Sequence, residues 1–542
     1  MLGLDLRTLG LFRFVLGSLT LIDLWNRAPD IEAFYTDFGV LPRATFITDF
    51  ANENLLSFHL FGGTTFAMSL LFIVHAVIAF LLLIGWRTRL MTVLGWAFLI
   101  SLHGRNPYVL QGGDILFRML FFWGMFLPLG ARWSVDAALA LRQGHVANGP
   151  DPEHPHQIAN VATAALILQA CFVYWFTMTL KTGKEWWQDY SAVHYALHLD
   201  HFTTPLAEWL RTFPDMMRAL TITTAWVEII VPALAIVGGL WWPLRAGSIA
   251  CMVGLHIIFG SALKIGLFPW ISSTSWIVML PGAFWDRLGL AQSIGGRFGR
   301  FVILAARLGR LPTRAPSVRL HPTLQVLCFG LLAYVFAWNV GTLNNPTTLT
   351  VGDSQVTLHP PKMPKPLQRI GYTLRLDQKW DMFAPRPMRG DGWFVMPATL
   401  SDGSTIDLFR EGAAVSWAKP KRVSSMYPSQ RWRKYLMNIW MAQFKKHRRH
   451  FGAYLCRLWE RDLPDSVHIK SLHVLYMKEE TLADGPAPVE CRSLWNHWCQ
   501  GEAKNAPRPE YMTQCDDITR AAKAERAAAK KAQLALAPAA PP

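Results

Sequence analysis

The sequence predicts an all-α polytopic membrane bundle of eight or nine transmembrane helices, with a small α+β exported domain at its C-terminal end. Three observations predict it. Of 542 residues, 51% are hydrophobic and only 17% are charged, with a mean hydropathy of +0.20. The apolar residues come in runs of about 17–25, the length that crosses a bilayer. Basic residues concentrate in one inter-span loop and in the C-terminal region instead of being spread along the chain.

The first run, residues 6–25, carries Arg7 and Arg13 and has no small-residue cleavage site, so it reads as a retained span and not as a signal peptide. Runs 64–86, 90–104, 114–130, 160–180, 218–241, 244–262, 267–285 and 323–341 follow. The third and fourth runs are short, which makes eight the alternative to nine. Of the 24 tryptophans, Trp86, Trp133, Trp186, Trp187, Trp241 and Trp242 fall at predicted span ends, where an amphipathic ring suits the headgroup boundary. Segments 26–63 and 187–216 are too polar to span and too aromatic for idle loops, so they read as helices or hairpins at the outer face. Residues 131–158 end in a Pro-rich linker without periodicity.

Loop 287–319 holds Arg287, Arg297, Arg300, Arg307, Arg310, Arg314 and Arg319, which places it in the cytoplasm by the positive-inside rule. Counting back, the N-terminus, the Arg87-Thr-Arg89 turn, loop 131–158 and the turn at Arg245 are cytoplasmic. The Lys181 loop and everything after residue 341 lie outside, as expected for a bacterial inner-membrane protein. Because the net charge of +16 is a topology signal here, nucleic acid is not a partner; the lipid bilayer is.

The domains read as 1–341 in the membrane, 342–515 exported, and 516–542 an Ala/Lys/Pro-rich tail of frayed helix followed by disorder. In the exported part, Val395–Leu400 and Thr405–Phe409 flank Ser401-Asp-Gly-Ser404 as a β-hairpin. Residues 430–460 have helical spacing, and Val467–Met477 reads as a strand. Cys456, Cys491, Cys499 and Cys515 form an even set there, which allows two disulfides in three connectivities.

Lys181 closes the apolar run Val161 to Leu180 and opens Lys181-Thr-Gly-Lys-Glu-Trp-Trp-Gln-Asp-Tyr190. A lysine at a span end is most often a snorkelling anchor. In a pocket shielded from water, the same side chain can serve as a base. Glu228 and His256 lie inside later spans, where ionisable groups face a cavity or a partner; they read as a proton relay or as a buried pair locking two helices. Asp114 and Arg118, at i and i+4, read as a structural pair. His194, His198 and His201 fall on one face if 190–202 is helical, but no carboxylate completes a set, so no metal is assigned. Neither a phosphate-cradling loop nor a nucleophile elbow is present.

Several segments together resemble the horizontally transferred transmembrane (HTTM) family, which includes the vitamin K-dependent γ-glutamyl carboxylases. They are Phe12-Arg-Phe-Val-Leu-Gly-Ser-Leu-Thr-Leu-Ile-Asp23, Trp133-Ser-Val-Asp136, Phe172-Val-Tyr-Trp-Phe-Thr-Met-Thr-Leu-Lys181 with Glu185-Trp186 and Tyr190-Ser191, and His256 to Ile265-Gly-Leu-Phe268. In the exported region, Leu376-Asp-Gln-Lys-Trp-Asp-Met-Phe-Ala-Pro385, Gly392-Trp-Phe394 and Arg431-Trp-Arg-Lys-Tyr435 resemble bacterial HTTM proteins more than the carboxylases. A family histidine on the fourth span falls at Gly113–Asp114 here.

The resemblance implies a reduced quinone, menaquinol or vitamin K hydroquinone, deprotonated by a lysine at the position of Lys181. Oxygen then converts it to an epoxide, and CO2 adds to a glutamate of an exported protein or peptide. Lys181, Glu228 and His256 are the implied catalytic residues, and Trp186, Tyr190 and Phe268 the implied quinone contacts. Epoxidation without carboxylation is the version expected. The alternative is a non-catalytic assembly, redox-partner or transport protein that keeps the fold.

Overall fold

The computed structural model describes residues 1–50, 55–143, 145, 153, 156–288, 318–343, 347–351, 354–358, 363–482, 485–500 and 508–535. Each of the nine apolar runs contains a helix: α1 (Leu6–Arg27), α2 (Thr65–Ile84), α3 (Thr88–Arg105), α4 (Gly112–Gly124), α5 (Val161–Leu180), α6 (Pro214–Val237), α7 (Trp242–Ala262), α8 (Phe268–Ile277) and α9 (Pro322–Gly341). Six of them, α1, α2, α5, α6, α7 and α9, are long and apolar enough to cross a membrane. Helices α4 and α8 have only 13 and 10 residues; at 1.5 Å per residue neither reaches across a core of about 30 Å. The stretch 289–317, which carries most of the arginines used for orientation, lies outside the described residues.

The outer helices are apolar on the surface that faces away from the bundle. Phe66 on α2 is 80% exposed and Val326 on α9 is 73% exposed. Exposed apolar surface of this kind is compatible with a lipid boundary. Inside, close approach depends on small residues and caps. Gly17 of α1 lies where a Cβ would stand 2.7 Å from the Leu83 Cβ. The Trp133-Ser-Val-Asp136 motif is a capping device: Ser134 caps the short helix Val135–Arg142, and Asp136 accepts hydrogen bonds from the Arg87 and Thr88 amides at the start of α3. Buried Arg13 donates to the Leu82 carbonyl at the end of α2 and to the Trp133 carbonyl. Helix α5 packs against α4, α6, α8 and α9, and is the spanning helix most enclosed by protein.

The C-terminal region contains a helix α10 (Lys365–Thr373) and an antiparallel sheet of β1 (Gly390–Val395), β2 (Pro397–Leu400), β3 (Thr405–Asp407), β4 (Ile469–Leu482) and β5 (Glu490–Trp498). One edge of β4 carries β5; the other carries β1 and then β2, with Trp393 opposite Met477 and Ala398 opposite Leu472. The expected hairpin is β2–β3, although Val395 belongs to β1. The helical stretch expected over 430–460 is divided: α11 (Gln430–Trp440) ends at extended Met441, and α12 (Arg448–Glu460) begins after a short 3-10 segment. Helix α13 (Glu510–Ala535) continues the chain past residue 516.

One of the three possible disulfide connectivities is realised. Cys456–Cys499 ties the residue after β5 to α12, and Cys491–Cys515 ties β5 to α13, closing separations of 43 and 24 residues. Replacing Cys491 and Cys515 with serine is expected to cost about 3 kcal/mol, the loop entropy of a closure this long, measured as a loss of thermal stability in the full chain.

Two segments of this region enter the membrane bundle. In Leu376–Trp380, buried Gln378 accepts from the Gln169 amide on α5 at 2.9 Å and from the Trp380 indole at 3.2 Å, while its carbonyl accepts from Trp338. From α11, Arg431 reaches both Asp114 on α4, at 2.6 Å, and Asp23 on α1, at 2.9 Å. Arg27 bonds the same two carboxylates and the Tyr35 hydroxyl. The expected Asp114–Arg118 pair is therefore absent: Asp114 serves Arg27 and Arg431, while Arg118 pairs with Asp377 at 3.1 Å. Helical spacing puts Asp114 and Arg118 within reach of each other, but tertiary partners hold both: two guanidinium groups for Asp114, and the carboxylate and carbonyl of Asp377 for Arg118.

Candidate functional site

The local sequence explains how Lys181 is presented. It ends α5 with its amide bonded to the Thr177 and Met178 carbonyls, and leaves the helix at ψ 74°. The chain then turns through Thr182 and Gly183, where an added Cβ would lie 2.8 Å from the Pro385 carbonyl. Gly183 donates its amide to that carbonyl at 2.9 Å. The following short helix, Lys184–Trp187, folds Trp186 back so that its ring lies 4.0 Å from the Lys181 Nζ, a cation–π distance. The Trp186 indole is fixed by the Phe383 carbonyl at 3.1 Å, and the Trp187 indole donates to the Lys181 carbonyl.

Lys181 is 3% exposed, so it does not snorkel. Its Nζ donates to the Glu228 Oε2 at 2.6 Å, and Glu228 is buried as well. Glu228 sits one turn before Pro232, whose ring nitrogen cannot donate to the Glu228 carbonyl inside α6. Two buried charges in a water-poor site persist only when well paired, and the 2.6 Å contact supplies that pairing.

A second group lies two turns further into the bundle on the same face of α5, about 10 Å along the helix. The Trp276 indole donates to the Tyr174 hydroxyl at 2.9 Å, and that hydroxyl lies 3.0 Å from the His256 Nε2. The other ring nitrogen, Nδ1, lies 2.7 Å from the Met252 carbonyl. A carbonyl only accepts, so Nδ1 carries the proton and Nε2 accepts from Tyr174. Phe268 faces the His256 ring at 5.9 Å.

Lys181, Glu228 and Trp186 thus meet directly, while His256 and Phe268 belong to the second group. Tyr190 is half-buried at a left-handed φ of 51°, and its ring takes the Arg218 guanidinium at 5.8 Å. Tyr174 and Trp276 were missed in the sequence. The signal for Tyr174 was its place seven residues before Lys181, on the same helical face.

The three histidines do not share a helix face. Helix Ala192–Leu197 ends before His198, whose Nδ1 bonds the His194 carbonyl, and His201 approaches Asp391 at 3.8 Å. Among the described residues, two other sets bring three ligand atoms together, Asp23/His103/Asp114 and Asp200/Asp391/Glu479. Arginines 27 and 431 already occupy the first, and Lys419 bridges Asp200 and Glu479 in the second.

The segment after α5 that carries the site is held to the C-terminal region by Glu185–Arg389, Asp200–Lys419 and Glu208–Arg422. All three carboxyls titrate below their usual range. Burial pushes Glu185 up, but its own backbone amide and Arg389 outweigh it. Burial of Asp200 is likewise outweighed by Lys419 and Arg211, and Glu208 is lowered chiefly by its hydrogen bond to Arg422. A depressed folded value gives stability above the unfolded carboxylate range of about 4 that is lost as pH falls through the folded values. Faster amide hydrogen exchange in 389–422 at pH 2.5 than at pH 7, corrected for intrinsic rates, is the expected result.

No protein-family model, curated protein or solved structure matches this chain.

Proposed function

We propose that this chain is a quinol-oxidising membrane enzyme similar to the vitamin K-dependent carboxylases, with Lys181 as its base. The observation that supports the reading most is the Lys181–Glu228 pair, buried at the end of the most enclosed spanning helix and roofed by Trp186. The proposed setting is a bundle of at least six spans in a bacterial inner membrane, with the N-terminus cytoplasmic and the C-terminal region outside.

The residues fit a reduced quinone: an amine beside a carboxylate, a tyrosine hydroxyl held by a neutral histidine, and aromatic surfaces from Trp186, Trp276 and Phe268. A menaquinol or vitamin K hydroquinone would supply an acidic hydroxyl and the electrons, O2 would be the oxidant that gives one oxygen atom to the epoxide and the other to water, and CO2 is the further co-substrate if an exported glutamate is carboxylated. The pair can pass its proton from Lys181 to Glu228 without losing it to water. That leaves a free amine aimed at the site and removes two charges from a poorly solvated place. Trp186 excludes water from the amine, and Tyr174 is oriented by the proton already fixed on the His256 Nδ1.

The second reading, a non-catalytic scaffold, draws on the same pair as a lock between α5 and α6. A lock does not need Trp186 folded over the amine or the Trp276–Tyr174–His256 chain. Organic extraction of protein purified from native membranes separates the two. A lipid quinone at near-stoichiometric amount supports the enzyme; none above the level of an unrelated membrane protein supports the scaffold.

A further inference from the structure

A different part of the bundle holds an unbalanced charge. Arg105, at the outer end of α3, is fully buried, yet no carboxylate lies within ion-pair distance of it among the described residues. Its Nη2 donates to the Thr36 carbonyl at 3.1 Å, while Nε and Nη1 have no acceptor. Asp37, the carboxylate that acts on it electrostatically, is engaged by Arg43 through hydrogen bonds of 2.7 to 3.0 Å. Leaving a guanidinium buried with two N–H groups unmet is among the costliest arrangements a protein interior can hold.

The neighbouring groups are donors too. One turn before Arg105, the Ser101 Oγ accepts from the His59 backbone amide and lies 2.7 Å from the His59 Nδ1. The His59 Nδ1 is the nearest acceptor for the single Ser101 hydroxyl proton, the Ser57 Oγ being 3.4 Å away, so the hydroxyl donates to Nδ1 and the imidazole proton sits on Nε2. That nitrogen is buried and has no partner. Burial, helped by His75, Arg105 and Arg27, holds His59 down at about 3, so it is a neutral donor. His75, buried with both ring nitrogens unpartnered, shares the Phe98 ring with His59. Donors without acceptors around one uncompensated positive charge define the chemistry of what is missing.

We infer that Arg105 and His59 form a buried site for a small monovalent anion of chloride or bicarbonate size, at the outer end of α3. The anion accepts from the Arg105 Nε and Nη1 and from the His59 Nε2, and balances the guanidinium. This site is independent of the quinol reading.

The test uses the full chain in detergent, with sodium chloride replaced by sodium gluconate at constant pH and ionic strength, since gluconate is too large for a buried pocket. Wild type is expected to show a saturable rise in Tm with chloride and an anomalous bromide peak beside Arg105 in crystals. Arg105→Gln should lose the chloride response, and His59→Gln should weaken chloride binding about tenfold. Equal Tm in both salts, or a response retained in Arg105→Gln, overturns the inference. If Arg105→Gln does not fold, an undiminished response in His59→Gln overturns it.

Discussion

Lys181→Arg is expected to lower quinol oxidation by at least about a hundredfold, the low end of what a positioned base contributes, while Tm stays near wild type. Arginine keeps the charge that Glu228 pairs with, but stays protonated and cannot accept a proton. Lys181→Ala leaves Glu228 buried and alone, and should cost about 3–5 kcal/mol of stability. The informative variant is the double replacement Lys181→Met with Glu228→Leu, which removes both charges. It is expected to recover much of the stability and none of the turnover, whereas a pure helix lock would have no turnover to lose. Lys184 serves as the control. It is exposed and pairs with exposed Asp189, and Lys184→Arg should leave both rate and Tm unchanged.

A stability effect of the same size is expected at Arg431. Its guanidinium makes four hydrogen bonds, to the Val109 carbonyl and to the carboxylates of Asp23 and Asp114, at 2.6 to 2.9 Å and away from water. Arg431→Ala leaves two carboxylates facing Arg27 alone, a net buried charge, at a cost of about 3–5 kcal/mol. Because Arg431 comes from the C-terminal region and its partners from α1 and α4, the loss should also loosen that region from the bundle. Arg431→Lys keeps the charge without the fork and should fall between. Arg461→Ala removes an ion pair with Glu32 in which both side chains are exposed, and should stay within about 1 kcal/mol of wild type. Thermal unfolding of the full chain, with limited proteolysis between α9 and β1, measures both effects.

Both predictions rest on contacts of very different visibility in the sequence. The spanning helices are legible because bilayer length and apolarity leave few alternatives, and Lys181 is legible because it interrupts an apolar run next to a tryptophan pair. Glu228 and His256 stood out as ionisable groups inside spans. Their partners did not: the sequence could not say that Glu228 meets Lys181 while His256 meets Tyr174, because helix pairing in a bundle is set by packing between segments far apart in the chain. The short helices α4 and α8 read as longer runs because apolar loop residues continue the pattern past the last helical turn. Asp114 went to Arg431, 317 residues away, and not to Arg118 one turn on; no local rule reports a contact of that separation. His201 fell off the face that His194 and His198 share, their rings 4.2 Å apart, because the helix ends at Leu197.

The most direct test of the central claim is turnover by the wild-type chain itself. Protein in liposomes is supplied with menaquinol or vitamin K hydroquinone under air and labelled bicarbonate. Quinone epoxide is followed by mass spectrometry, and labelled carbon in added glutamyl peptide is counted separately. The account predicts epoxide formation that depends on protein and oxygen and is lost in Lys181→Arg, with or without label in the peptide. Quinol that oxidises no faster than in empty liposomes, or epoxide made equally well by Lys181→Arg, contradicts it.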